Sequence, residues 1–255
     1  MWGCAGAVAA ESEESGDEPG AVLAKDEIEV GADELVVTER SASGGYTVYG
    51  ASIRTCSTTT VGGLVEQLVA EMNCNNPDAM VRIDTIPGVT LAPSASPYLQ
   101  GAAARALRRV AASVSSSSAG LQVNSSLRAL PQQYMLHRWS LRDRCGVRVA
   151  ASPGESKHES GLALDIGNWS TRRTQLARQG FQWFGWGDQV HFTFRGAGAA
   201  PVSGESTLAF KRLWNRNYPG DLLPENPVYT RETELRLKVS PAEGFAVGAS
   251  CTATL

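Results

Sequence analysis

The chain has 255 residues, room for one substantial domain and a small second one, with 42% hydrophobic and 19% charged residues, a balance ordinary for a globular fold. No apolar run approaches the roughly 20 residues that cross a bilayer, which excludes a transmembrane helix. The net charge of -3 divides unevenly, with ten of the 26 acidic and one of the 23 basic residues in positions 1–35, so the remainder carries +6. That mild basicity suits an anionic polymer such as a cell wall and, without an aromatic-basic repeat, gives no ground for nucleic-acid binding.

The start, Met1-Trp2-Gly3-Cys4-Ala5-Gly6, lacks the basic residues and apolar core of a secretory signal. It resembles the end of a bacterial lipoprotein signal, a small residue before the cysteine to be acylated. Cys4 is therefore the expected lipidation site and the expected membrane contact, with the true start upstream. Residues 1–34 form an acidic tether, too poor in large apolar groups to offset the entropy of ordering, and are expected to be disordered.

Leu35-Val36-Val37-Thr38 and Tyr46-Thr47-Val48-Tyr49 read as short strands around a Ser/Gly turn. Leu64, Val65, Leu68, Val69 and Met72 recur at helical spacing and predict a helix over 61–72. Met80 to Ile83 is a strand closed by Pro87-Gly88, and 98–114 a helix rich in Ala, Arg and Leu. After the loop 115–120 come a strand at 121–126 and a helix from Pro131 to about Arg144. Segments 162–166 and 189–194 have strand character, and Gln175 to Gln179 is a short helix stopped by Gly180. Helices interleaved with short strands, without GxGxxG or a repeating βαβ period, predict an α+β fold. Further helices are expected over 207–218 and 230–237, within a small helical C-terminal module at 203–245, with a tail at 246–255.

Five cysteines favour an oxidising compartment. With Cys4 set apart, Cys56, Cys74, Cys145 and Cys251 form an even set that allows two bridges in three connectivities. No CxxC pair is present, which argues against a structural thiolate-zinc site.

Two segments carry the chemistry. In Ser156-Lys157-His158-Glu159-Ser160-Gly161-Leu162-Ala163-Leu164-Asp165, strand alternation sends Leu162, Leu164 and Ile166 to the core and leaves Gly161, Ala163 and Asp165 on the opposite face. His158 has the wrong parity for that strand and must come from the preceding turn. In Asp188-Gln189-Val190-His191-Phe192, the alternation puts Val190, Phe192 and Phe194 inside and His191 and Thr193 on the site face, with Asp188 approaching from the Gly185-Trp186-Gly187 turn. Two histidines and two carboxylates are the parts of a catalytic zinc site: three protein ligands, an open position for water, and a spare carboxylate as base. His137, outside both segments, is expected to be structural or on the surface.

SxHxxGxAxD followed by DxxHF resembles the zinc D-alanyl-D-alanine carboxypeptidase/dipeptidase family, which includes vancomycin-resistance-type carboxypeptidases and related phage endolysins and shares its fold with the hedgehog signalling domain. The resemblance implies an α+β fold with a small, mainly antiparallel sheet flanked by helices, and a peptidase domain over 35–200 whose motif core is 120–195. It implies zinc held by His158, Asp165 and His191, Asp188 as general base, and Ser156 at the family's serine position. Ser125-Ser126-Leu127-Arg128 followed by Gln133 is similar to the family's SxxR…Q segment, in which the arginine holds the substrate carbonyl or carboxylate and the glutamine supports the pocket. Ser125, Arg128, Gln133, Ser156 and Trp186 are the expected substrate contacts, and Arg128 is also expected to stabilise the oxyanion.

Residues 207–245 resemble, more loosely, small helical peptidoglycan-binding domains, which implies glycan contact through 203–245, although the turn at 225–230 lacks their glycines. A structural cap on the catalytic domain is the other reading. The expected activity is hydrolysis of peptidoglycan stem peptides outside the bacterial cytoplasm, first as a D,D-carboxypeptidase. An endolysin-type endopeptidase and a non-catalytic wall-binding or scaffold protein are the alternatives.

Overall fold

The computed structural model describes residues 37–74, 76–77, 79–114, 120–200 and 204–253. The expected tether at 1–34 and Cys4 lie outside the described residues. Val37 and Thr38 are not in a strand, and Tyr46-Thr47-Val48-Tyr49 does not form one either. Thr47 instead caps helix α1 (Val48–Arg54), its hydroxyl accepting from the Gly50 N–H at 2.9 Å. The capping hydroxyl and the burial of Val48 and Ala51 outweigh the β propensity of this tetrapeptide. A 3-10 turn (Thr58–Val61) leads into α2 (Gly62–Asn73), which buries the expected apolar stripe.

Strand β1 (Val81–Arg82) is followed by β2 (Val89–Leu91), three residues too short to stand out in the sequence, and by β3 (Tyr98–Leu99). β3 pairs antiparallel with β1 and takes the first residues of the segment expected to be wholly helical, so that α3 spans Gly101–Ser113. Next come β4 (Leu121–Ser125), α4 (Leu130–Ser140), a 3-10 turn (Lys157–Ser160) and β5 (Ala163–Ile166). Helix α5 (Trp169–Arg178) begins six residues before the expected Gln175. Only Arg172 and Leu176 of it are buried, so its sequence carries almost no apolar period. β6 (Phe181–Trp183) and β7 (His191–Phe194) complete the main sheet.

The sheet order is β2-β4-β5-β7-β6, with β2 parallel to β4 and the other pairs antiparallel. With seven α-helices among the described residues, the fold is α+β, with mostly antiparallel sheets. One face of the main sheet, carrying Val123, Leu162, Leu164, Ile166, Phe192 and Phe194, packs on Leu107 and Val110 of α3 and Leu176 of α5. The other face carries Ala163, Asp165, His191 and Thr193, paired across strands as Ala163↔Thr193 and Asp165↔His191, so the parity argument places the site on the correct face.

A second core is helical. The C-terminal helices α6 (Glu205–Asn217) and α7 (Arg231–Val239) supply Ala209, Phe210, Leu213, Trp214 and Leu237 to the cluster formed by α1, α2 and α4. The helices expected as a module of their own are therefore part of one unit with residues 35–200. The buried Lys211 donates to Asn226 Oδ1 at 2.9 Å and the Val228 carbonyl at 2.7 Å, holding the glycine-free turn between them. Disulfides join Cys56 to Cys145 and Cys74 to Cys251. The second ties the expected tail, a 3-10 turn at Ser250–Ala253, to the end of α2. Among the described residues no helix is long and apolar enough to cross a membrane.

Candidate metal centre

His158 is presented by the Lys157–Ser160 turn, as its parity required. Ser156 caps the turn with its hydroxyl 3.3 Å from the His158 N–H, while the Glu159 carboxylate accepts from the N–H groups of Gly154 at 2.8 Å and Ser156 at 3.2 Å. Gly161 ends the turn at φ 67°, where a Cβ would lie 2.7 Å from Met80 Sδ and 3.1 Å from the Gln100 nitrogen. Only glycine satisfies both demands, and the chain then enters β5 at Ala163.

His158 is 2% exposed. Its Nδ1 lies 2.7 Å from the Ser126 carbonyl, which can only accept, so Nδ1 carries the proton and Nε2 presents a lone pair to the site. That Nε2 is 3.3 Å from Asp165 Oδ1 and 3.2 Å from His191 Nδ1, and the third side of the triangle, His191 Nδ1 to Asp165 Oδ1, is 3.2 Å. Donor atoms around a tetrahedral ion at zinc bond lengths are separated by about 3.3 Å. Three acceptor atoms converge at that spacing, so the residues present fit zinc, and they are the one such group among the described residues.

Protonation states support the same conclusion. Burial drives His158 below its ordinary value, further than the Asp165 carboxylate beside it restores. Burial pushes Asp165 up, but the His158 and His191 rings beside it and the Arg128 charge outweigh that and hold the carboxyl well below the usual range. A neutral imidazole and an ionised carboxylate are the forms that bind a metal.

Beyond the three donors, Thr193 Oγ1 lies 3.2 Å from His191 Nε2 and fixes the ring with Nδ1 inward. Arg128 donates from Nη2 to Asp165 Oδ2 at 2.8 Å and from Nε to Ser125 Oγ at 2.9 Å. Its two bonds therefore orient the Asp165 carboxylate, which the family pattern alone does not reveal. Arg128 also lines a cavity of about 300 Å³, with Ser94, Ser96, Asn124, Leu136 and Val149 among others.

The remaining expected contacts divide. Ser125 touches Arg128 and belongs to the site. Ser156 spends its hydroxyl on capping the turn. Gln133 is fully buried and donates to the Ala151 carbonyl at 2.7 Å, one helical turn from His137, whose Nδ1 lies 3.2 Å from the Ala150 carbonyl. Both side chains brace the loop before the His158 turn, a supporting role for Gln133 and a structural one for His137. Asp188 is exposed in the turn before β7, its carbonyl accepting from the His191 N–H at 3.2 Å, and its carboxylate stands outside the ligand triangle. Trp186 is 73% exposed in the same turn.

Thr193 and Glu159 are the site residues that motif reading passed over. The SxxE spacing of a capping box announces Glu159, and Thr193 shares its face with His191.

Residues 96–194 match the family model described as VanY, D-alanyl-D-alanine carboxypeptidase. The matched stretch runs from just before β3 to the end of β7 and contains His158, Asp165 and His191, with Arg128 and Asp188. Peptidase chemistry of the D-alanyl-D-alanine carboxypeptidase type is what the VanY family implies for it. No curated protein matches the chain.

Proposed function

We propose that the protein is a zinc-dependent D,D-carboxypeptidase that removes terminal D-alanine from peptidoglycan stem peptides outside the bacterial cytoplasm. The observation that carries this reading is the triangle of His158 Nε2, Asp165 Oδ1 and His191 Nδ1 inside the stretch that matches VanY. Zinc held there would polarise the scissile carbonyl and acidify the attacking water.

The chain's own residues do the rest. Asp188, exposed and outside the ligand set, takes the proton of the attacking water and returns it to the leaving amine. Arg128, anchored by Asp165 and Ser125, offers its remaining N–H bonds to the oxyanion or to the terminal carboxylate of the peptide. A cavity of about 300 Å³ lies beside Ser125 and Arg128, where a free terminal carboxylate, which a carboxypeptidase substrate has, would meet the guanidinium. Two disulfides support an oxidising compartment, and acylation of Cys4 would anchor the chain at a membrane surface there.

Metal analysis combined with mass spectrometry of muropeptide products, with and without a chelator, tests the reading. The expected result is bound zinc and chelator-sensitive release of D-alanine from a stem pentapeptide. Cleavage within the stem peptide would make the protein an endopeptidase, and bound zinc with no hydrolysis of any muropeptide would make it a scaffold.

A further inference from the structure

The turn between β6 and β7 carries an aromatic assembly that the metal chemistry does not use. Trp183 at the end of β6 stacks on Trp169 of α5, with centroids 5.4 Å apart and planes at 12°. Arg173 sits 4.7 Å over the Trp183 ring, and the Trp183 indole N–H donates to the Gln189 carbonyl at 2.8 Å. Trp186 stands perpendicular to both rings, 5.4 Å from Trp183 and 6.0 Å from Trp169. The indole is thus fixed on two sides and still 73% exposed. Phe184, 69% exposed, stands on the opposite face of the β6–β7 pair from Trp183, its ring 5.7 Å from that of His191.

A large aromatic group held in place against water marks a binding surface, and holding it before the ligand arrives lowers the cost of association. We propose that Trp186 is a stacking platform for a pyranose ring of the glycan strand to which the scissile peptide is attached. An indole presents a flat, electron-rich face. A pyranose offers a complementary one, an apolar face of C–H bonds with hydroxyl groups around its edge. The exposed residues around these rings are polar, with Gln182 and Gln189 bearing paired donors and acceptors suited to hydroxyl groups, and the two charges there, Arg173 and Asp188, are opposite in sign. A membrane-inserting surface would instead need aliphatic neighbours and a cluster of basic residues. The platform lies in the turn that leads into His191, beside the edge strand β6, so a sugar held on one face and its peptide on the other would straddle that edge.

The inference rests on the peptidoglycan reading above, and the test separates the two. Activity of the full chain is compared on a free stem pentapeptide and on the same peptide carried by an N-acetylglucosamine–N-acetylmuramic acid disaccharide. Binding to peptide-free glycan strands, which a peptidase cannot cleave, is followed by tryptophan fluorescence. Trp186→Ala is expected to lower the ratio of kcat/KM for the disaccharide substrate over the free peptide about tenfold, and to weaken glycan binding by a similar factor, with Trp186→Tyr restoring most of both. An unchanged ratio in Trp186→Ala, or wild-type protein that ignores peptide-free glycan, overturns the proposal. So does binding to phosphatidylglycerol vesicles that is lost in Trp186→Ala without any glycan affinity. If neither peptide substrate is cleaved, the carboxypeptidase reading fails while the glycan measurement still decides the platform.

Discussion

The hydroxyl of Thr193 offers the sharpest test of the metal centre, because no motif points to it and only the geometry gives it a role. With His191 Nδ1 on a metal beside Asp165 and His158, the ring proton must reside on Nε2, 3.2 Å from Thr193 Oγ1. Thr193→Val keeps the shape and removes the acceptor. An N–H left without a partner costs about 1–3 kcal/mol when buried, and loss of such an outer partner typically lowers metal affinity about 10–100-fold. The His191 side chain is 12% exposed, so water partly replaces the hydroxyl and the expected loss is near the low end, about tenfold. Zinc affinity measured by competition with a chelating dye reads this directly, and thermal unfolding in excess chelator should be unchanged. If Thr193→Val binds zinc as tightly as wild type while His191→Ala does not bind it, the assignment of Nδ1 as the ligand atom is refuted.

Asp188→Asn is expected to lower kcat by about 10²–10⁴-fold with the zinc content unchanged; a fully active variant would move the base elsewhere. Burial pushes the Glu159 carboxyl up to about 7, against the Gly154 and Ser156 N–H groups, which favour its charged form. In metal-free protein the stability this group contributes is therefore present below its unfolded value of about 4.3 and lost as pH rises through about 7. Glu159→Gln should gain on wild type by up to about 3 kcal/mol between those limits in denaturant titrations; parallel pH profiles would show that the carboxyl is not held protonated. Removing the Cys74–Cys251 bridge, which spans 177 positions, costs up to about 5 kcal/mol in the chain-entropy picture. Cys74→Ser with Cys251→Ser should therefore lower Tm by about 10–20 °C, and an unchanged Tm would mean that the C-terminal segment adds nothing to stability.

The site was legible because its signals are local. Alternation through Leu162, Leu164 and Ile166 locates the face that carries Asp165, and the parity of His158 requires a turn. What escaped depends on partners distant in sequence. Arg128 reaches Asp165 because a register shift between Val123 and Ser125 sets Ser125 opposite Asp165, and no feature of residues 121–128 announces that irregularity. β2 and β6 are three residues each and owe their existence to the strands beside them. At Tyr46–Tyr49, β propensity pointed one way and a capping threonine the other; the cap prevailed because Val48 and Ala51 reach the helical core.

The C-terminal helices show the same limit most plainly, since an amphipathic stripe identifies a helix without naming the surface it covers. Their position gives them a bearing on catalysis that a separate wall-binding module would not have. Ser206 of α6 accepts the Leu130 N–H at the start of α4, at 2.7 Å. A Cβ on Gly154, whose N–H Glu159 holds, would lie 3.3 Å from Tyr229. Helix α4 in turn braces Ala150 and Ala151, ahead of the His158 turn. Asp165 and His191 come from adjacent strands of the sheet, and His158 is presented by a turn that the helical core supports from behind. The triangle therefore closes only when sheet and helices are both in place, which gives residues 204–245 a structural reason to accompany residues 96–194 whether or not they touch the cell wall.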